Sequence, residues 1–486
     1  MFQQQIEQLF MFHEASKLSY KENKNFVPHI QKEKKKRRNN AHFLLPKMPV
    51  DRLFRLYHYS HMNNSIQPSF TVQTLSQLLF YSHHSFTKSH PQFEAAPLFC
   101  YIISAALPPL SAYPFIGKYD AEEHTIEIIR TLSTEEWGIL TKGMIKPNWF
   151  LCITSQFNKA FKHYHFKKFQ IDVGHLLTNF LIIGQQLNFH GQLISHFHPS
   201  MLDELLNVTS GERCECVLNF QPNLGIPIPT VLPHSPPTQR HRISPCNEIA
   251  QTLQELTHKQ LLQPLVQRRK VEKKKILERR RVQSLEQGTH FDKTYIMPYE
   301  TFEQILQSLV TTLLHLRHEW LPWKESLQFA IFINRVTGVK PGLYFLFLND
   351  KQMTSFRSQC KIKFKWKEII SKYRFFLLYE ASLDEMISDI CIEDPFIKNS
   401  CLTMSFVTSF KPFISTYGVS MYQRLFWEAG LLAELIRLEC RLETLDTVGH
   451  PFFYEQLFEK IMGISHYKEY MNTYHLSIGK WSKGDS

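Results

Sequence analysis

The chain has 486 residues, too many for one ordinary core, so two or three domains are expected. Its 43% hydrophobic and 21% charged residues are ordinary for a globular protein, and its longest apolar runs, 95–103 and 329–333, are too short to cross a bilayer. Much of the formal charge of +12 lies in two blocks, 32–38 (KEKKKRR) and 268–281 (RRKVEKKKILERRR), which have no interleaved aromatics; they read as solvated surface, so nucleic acid is not expected as a partner.

Residues 1–45 read as an N-terminal extension that opens on a polar amphipathic helix. No basic region precedes an apolar one there, so it is not a secretory signal. The nine cysteines include no CxxC pair. An odd, unpatterned set argues for reduced thiols in a cytoplasmic protein and against a disulfide frame or a metal site.

Residues 46–221 read as a first domain. A helix is expected at 69–80, a buried strand at 97–107, and two strands about a turn at Asp120 over 117–130. Another strand follows at 149–153, then a helix over 172–186, a short strand at 191–194, a helix at 199–206 and a strand at 214–220. Residues 222–275 read as a linker, with seven prolines between 222 and 245 favouring extended chain and a basic helical pattern after them.

The second domain is expected over 276–486. It shows a helix at 299–314, strands at 329–336, 339–348 and 401–408, a helix at 384–392, and a late strand at 475–478. Between them, 424–442 is a long helix with Leu425, Phe426, Ala429, Leu432, Ile436, Leu438 and Leu442 at helical spacing. It is apolar on most of its circumference and needs burial on several sides. Val448, Gly449, His450 and Pro451 break it before a second amphipathic helix that ends near Gly463.

The chain repeats itself. Asp172, Val173 and Gly174 correspond to Glu428, Ala429 and Gly430, and Phe197 follows Asp172 at the interval by which Phe453 follows Glu428. Gly117 to Tyr119 match Gly342 to Tyr344, and 70–79 match 298–306 in pattern. A repeat this long implies a duplicated domain.

These residues also resemble a known family. The Glu428-Ala429-Gly430 step, the paired Phe452 and Phe453, and the lead-in Tyr422, Arg424, Leu425 resemble the C-terminal part of SagB/ThcOx-type dehydrogenases, which are nitroreductase-fold flavoproteins. Residues 12–17 (FHEASK) resemble that family's YHxxTK opening, and 329–344 resemble its LFVHRVDGLAPGLY segment in Arg335, Gly338, Pro341, Gly342 and Tyr344. The resemblance implies an α+β protein with two tandem nitroreductase-like domains forming an intrachain pseudo-dimer, possible as a monomer, with FMN in the crevice between the copies. It implies a cofactor site at Arg279, Arg280, Arg281, Gln283, Ser284, Glu428, Gly430 and Gly449, with the arginines holding the phosphate. It implies Lys168 as catalytic residue, in a Lys-Tyr pair whose second member is Phe169 here. The implied activity is oxidation of azoline rings in a modified peptide, with the peptide substrate or partner modification enzymes as partners. The chain departs from the family at 89–101, where only Pro97 and Tyr101 match, and in the glycine loop at 447–455. Those losses imply the alternative of a diverged, flavin-free scaffold that binds a partner enzyme or peptide. From the residues alone, Arg279 to Arg281 also read as a basic helix end, Lys168 as a surface lysine and His175 as a core histidine.

Overall fold

A computed structural model of the chain describes residues 2–17, 42–45, 70–84, 98–141, 149–156, 163–194, 197, 199–208, 211–222, 290–323, 326–360, 364–392, 394–464 and 469–482. The expected linker beyond Pro222, the arginine cluster with Gln283 and Ser284, and 89–97 lie outside these residues.

Two seven-stranded antiparallel sheets form the frame. The first contains β1 (His42–Leu44), β2 (Leu98–Ser104), β3 (Phe115–Asp120), β4 (Thr125–Thr131), β5 (Trp149–Gln156), β6 (Phe189–Ile194) and β7 (Glu212–Pro222), in the order β1-β4-β3-β2-β5-β7-β6. The second contains β8 (Leu327–Ile333), β9 (Gly342–Leu346), β10 (Lys367–Ile370), β11 (Phe375–Glu380), β12 (Leu402–Ser409), β13 (Asp446–His450) and β14 (Tyr470–Gly479), in the order β10-β11-β9-β8-β12-β14-β13. Six strands of one sheet match six of the other one for one. The edge strands differ in origin: β1 enters from the N-terminal side, inside the expected extension, whereas β10 arises between β9 and β11.

The duplication extends to irregularities. The register shifts between Ile153 and Thr154 where β5 meets β7, and at the corresponding step, Phe406 to Val407, where β12 meets β14. In chain order the helices are α1 (Phe2–Ala15), α2 (Val72–Leu79), α3 (Thr134–Leu140), α4 (His163–Gln186), α5 (Pro199–Leu205), α6 (Tyr299–Ser308), α7 (Leu314–Trp320), α8 (Asp350–Gln359), α9 (Asp384–Ile390), α10 (Pro395–Lys398), α11 (Phe410–Tyr417), α12 (Tyr422–Leu442) and α13 (Glu455–Met462). Both α2 and α6 run into a single π-helical turn, at Phe80–His84 and Leu309–Leu313. Thr71 caps α2, its hydroxyl accepting from the Thr74 amide at 3.1 Å. The turn between β8 and β9 is fixed by the Arg335-to-Tyr344 motif. Arg335 Nε donates to the Tyr295 carbonyl at 3.3 Å, the Tyr344 hydroxyl donates to the Lys340 carbonyl at 2.7 Å, and Gly338 takes φ +72°.

The largest apolar core is common to both copies. It joins the inner faces of the two sheets to α4 and α12, whose Phe169, Leu176, Phe180, Trp427, Leu432 and Ile436 are fully buried. Each outer sheet face has its own smaller core. The expected break at Val448 to Pro451 is instead mostly a strand, β13, paired with β14. Pro451 ends it, because a proline cannot donate to the ladder.

The two copies meet where α4 crosses α12, and glycine makes the crossing possible. A Cβ on Gly174 would stand 2.3 Å from the Trp427 carbonyl oxygen, and one on Gly430 would stand 2.1 Å from that of Ile171. The contacts are reciprocal, since the same interval separates Ile171 from Trp427 and Gly174 from Gly430. Across the crossing, Trp427 Nε1 donates to Gln170 Oε1 at 2.6 Å. A methyl group at either glycine must push two backbones apart, so Gly430→Ala is expected to cost upward of ~3 kcal/mol in urea or thermal unfolding. Gly138→Ala, on α3 with nothing within 4 Å of an added Cβ, is expected to be neutral or to gain up to ~1 kcal/mol. Equal effects of the two substitutions would contradict the close crossing.

Candidate functional site

Three sequence segments far apart in the chain meet at one seam between the copies. The first turns of α4 bring His165, Phe166, Lys167 and Lys168. The chain after β13 brings Phe452 and the first turns of α13, with Glu455 and Glu459. The end of α1 brings Phe12, His13, Ser16 and Lys17. Lys167 Nζ lies 2.8 Å from Glu455 Oε1, and Lys17 Nζ lies 2.7 Å from Glu459 Oε1 and 3.0 Å from Glu14 Oε1. The His165 and Phe452 rings meet edge to face at 6.0 Å, as do Phe12 and Phe166 at 5.6 Å. His13 Nδ1 and the Tyr422 hydroxyl are 2.9 Å apart, and Tyr422 stacks on Phe166 at 6.2 Å.

The charges at the seam are mostly removed from water. Burial opposes the Lys17 charge, but Glu459 and Glu14 outweigh it and hold the ammonium above its ordinary range. Burial raises Glu459 too, and Lys17 offsets it only in part because Glu14 and Glu455 add negative charge nearby. Both ends of this pair therefore shift upward, as expected where carboxylates outnumber the ammonium they surround.

Lys168 is not a surface residue. It is 2% exposed, and its Nζ lies 2.5 Å from Asp172 Oδ2, one helical turn along α4. Beyond Asp172 a buried polar chain continues between the copies. The His175 ring nitrogens lie 3.4 Å from the Tyr474 hydroxyl and 3.1 Å from Glu434 Oε2, and Arg437 holds Glu434 through two bonds of 2.9 and 2.5 Å. Burial first, then the Asp172 charge, pushes the Tyr474 hydroxyl well above the ordinary tyrosine range.

The pseudo-twofold carries these positions to a different set on the other flank. Lys168 corresponds to Arg424, Asp172 to Glu428, His175 to Leu431, and Tyr474 to Cys216. Glu428 is fully buried and accepts from Arg317 Nε at 2.8 Å, Trp323 Nε1 at 3.2 Å and Ser326 Oγ at 3.0 Å. Arg424 sits over the Trp427 and Trp323 rings at 5.5 and 5.7 Å, and burial lowers it to about 10. The two flanks are unequal: one holds titratable side chains in series, the other an internal ion pair among indoles.

Of the expected site residues that are described, Lys168 lies at the seam, Glu428 in the opposite ion pair and Gly430 at the helix crossing. Gly449 lies in β13, opposite Leu476. Arg279, Arg280, Arg281, Gln283 and Ser284 fall outside the described residues.

Behind Phe452 is a network that no sequence motif indicates. His450 Nδ1 is 2.9 Å from Asp394 Oδ2, and its Nε2 is 2.9 Å from Ser477 Oγ, which is 2.9 Å from Thr403 Oγ1. The order resembles a hydrolase triad, but Ser477 is fully buried in the sheet, so the set acts as a clamp on the end of β13. Next to it, His475 bonds Ser405 at 2.6 Å, and burial lowers its basicity well below the ordinary range.

No protein-family model matches the chain, and no curated protein matches it in sequence. Among solved structures, a nitroreductase from Anabaena variabilis superposes over 98% of this chain and 99% of its own, with a TM-score of 0.64 at 14% identity. At that identity the likeness is one of fold, and it extends through both copies: the chain has the nitroreductase fold in a tandem α+β arrangement. Shorter matches include a Ralstonia eutropha nitroreductase (14% identity, 45% of this chain and 88% of that, TM-score 0.29). Another is the Escherichia coli microcin synthetase McbBCD complex with truncated pro-MccB17 bound (13%, 45% and 93%, TM-score 0.25). TM-scores that low do not bear on this chain. Among the described residues, no helix is long and apolar enough to cross a membrane.

The clamp carries a pH signature. Burial works against the Asp394 carboxylate, but His450 more than offsets this and leaves it below the ordinary carboxylate range. Asp394 thus ionises more readily folded than unfolded. Its contribution is complete above the ordinary carboxylate range and is lost as pH falls through the lower folded value. The stability gap between the wild type and His450→Asn is expected to be full above the ordinary carboxylate range and to narrow below about pH 4 in thermal melts. A gap that widens on acidification would contradict the clamp.

Proposed function

We propose that the chain is an FMN-dependent oxidoreductase of SagB/ThcOx type that oxidises azoline rings in a modified peptide. The supporting observation is the seam itself. The three segments that resemble this family at 12–17, at Lys168 and at Phe452 to Phe453 are far apart in sequence and adjacent in space. Bound FMN would supply the hydride acceptor. The described residues fit its ring better than its phosphate. His165 and Phe452 offer an aromatic wall, but the three seam lysines are each held by a carboxylate. The phosphate would rest with Arg279, Arg280 and Arg281, with Gln283 and Ser284 beside them. Lys168, as an ammonium on Asp172, would donate a hydrogen bond to the substrate ring. To act as a base it would first pass its proton to Asp172. Phe169 supplies no hydroxyl, so the proton work would fall to Lys168 and Asp172.

A second reading is a flavin-free scaffold for a partner enzyme or peptide. It is favoured by one observation: Glu428 and Gly430, read from the family as cofactor residues, are committed to the Arg317 ion pair and to the helix crossing.

The visible spectrum of the purified protein separates the two. A yellow preparation that releases FMN on heating is expected, and replacing Arg279, Arg280 and Arg281 with alanine is expected to weaken FMN uptake by roughly a hundredfold or more. Lys168→Met is expected to keep FMN and lose azoline oxidation. A colourless protein that takes up no added FMN would support the scaffold, and unchanged affinity in the arginine variant would remove the phosphate assignment.

A further inference from the structure

We infer that α1 is a detachable strap over the seam, held by Lys17, and that its release exposes Lys167, Glu455 and Tyr422. The helix lies across both copies. Phe12 packs on Phe166 of the first, while Phe10 and His13 pack on Phe410 of the second, at 5.2 and 4.8 Å. Its last turn is the buried part: His13 is 3% and Ser16 1% exposed, and the Lys17 side chain is 5% exposed. The rest is open. Phe10 and Phe12 are only half-buried, and Met11 is 72% exposed.

Such a helix is weakly held. Fourteen residues, with glutamines through the first turns and no acid in the first turn, make a marginal helix alone, so tertiary contact must hold it. That contact is the half-buried apolar surface of Ile6, Leu9, Phe10 and Phe12, the His13–Tyr422 hydrogen bond and one buried ion pair. A buried pair adds little net stability, because burial opposes both charges, yet it fixes the position of what it joins. The contrast with α12, apolar and buried along its length, is large. Elements of this kind open locally at low cost while the core stays closed.

What lies beneath makes the opening consequential. Glu455 and Glu459 are one turn apart on α13 and hold Lys167 and Lys17 side by side. Tyr422, whose hydroxyl meets His13, is buried among the same groups, with Glu14 and Glu455 acting on it. When α1 leaves, Glu459 loses its lysine, Tyr422 loses its cover, and Lys167 stands at the edge. The inference requires no flavin. Only the meaning of the uncovered surface rests on the oxidoreductase reading, so the strap and that reading can fail separately.

The test uses the full chain and two readouts. In wild-type protein, hydrogen exchange followed by mass spectrometry in low urea is expected to show α1 opening with little urea dependence, while α12 exchanges only in the global transition. In Lys17→Met, acylation of Lys167 by an amine-reactive ester is expected to accelerate at least roughly tenfold, because the remaining carboxylate loses its buried partner. The protection of α12 is expected to be unchanged. Exchange of α1 only together with α12 would overturn the strap. So would unchanged Lys167 acylation in a folded Lys17→Met protein. If that variant fails to fold, the wild-type exchange pattern decides.

Discussion

The structure depends on two backbones lying against each other. At Gly174 and Gly430 there is no room for a side chain, and the carbonyls of Trp427 and Ile171 fill the space. Everything else follows from that approach. It draws α4 and α12 into one layer, lets the inner faces of both sheets share a single apolar core, and fixes how far apart the flanking side chains stand. The approach is reciprocal, so the two halves sit as two subunits would in a symmetric dimer.

Symmetry of the backbone does not carry through to the side chains. On one flank of the crossing, Lys168, Asp172, His175, Tyr474 and Glu434 form a buried series of groups that can hold or pass protons. On the other, Arg317 and Glu428 neutralise each other among Trp323 and Trp427. Both sets are buried, so the flanks differ in the kind of side chain they enclose and not in how deeply they enclose it. The Arg317 and Glu428 pair ties α7 to α12 inside the frame, while the flank with Lys168 keeps charge near the seam where α1, α4 and α13 meet. That seam concentrates the cost of burying charge, and the α1 helix closes it with Lys17.

The duplication was legible in the sequence because its signals are local and repeated: Asp172-Val173-Gly174 against Glu428-Ala429-Gly430, and helices apolar on most sides. Most strands of the cores were legible for the same reason. Partnerships were not. Nothing near Glu428 in sequence points to Arg317, more than a hundred positions away, so a residue of the frame reads like a site residue. The burial of Lys168 was hidden by its neighbours Lys167 and His165, which make the segment look solvated; the one available clue was Asp172 four residues on. The strand β13 was lost because Gly449 and Pro451 read as a helix break, while its pairing with β14 is decided by a segment twenty residues later. The Asp394, His450 and Ser477 clamp draws on three separate segments and leaves no motif.

The most direct test of the shared core is to divide the chain. Residues 1–245 and 246–486 would be expressed together as two polypeptides, purified by a tag on one, and melted. If α4 and α12 make one core, the halves copurify one to one and unfold in a single cooperative transition, while either half alone is insoluble or unfolded. Two halves that separate on a sizing column, each folded and melting independently, would contradict it.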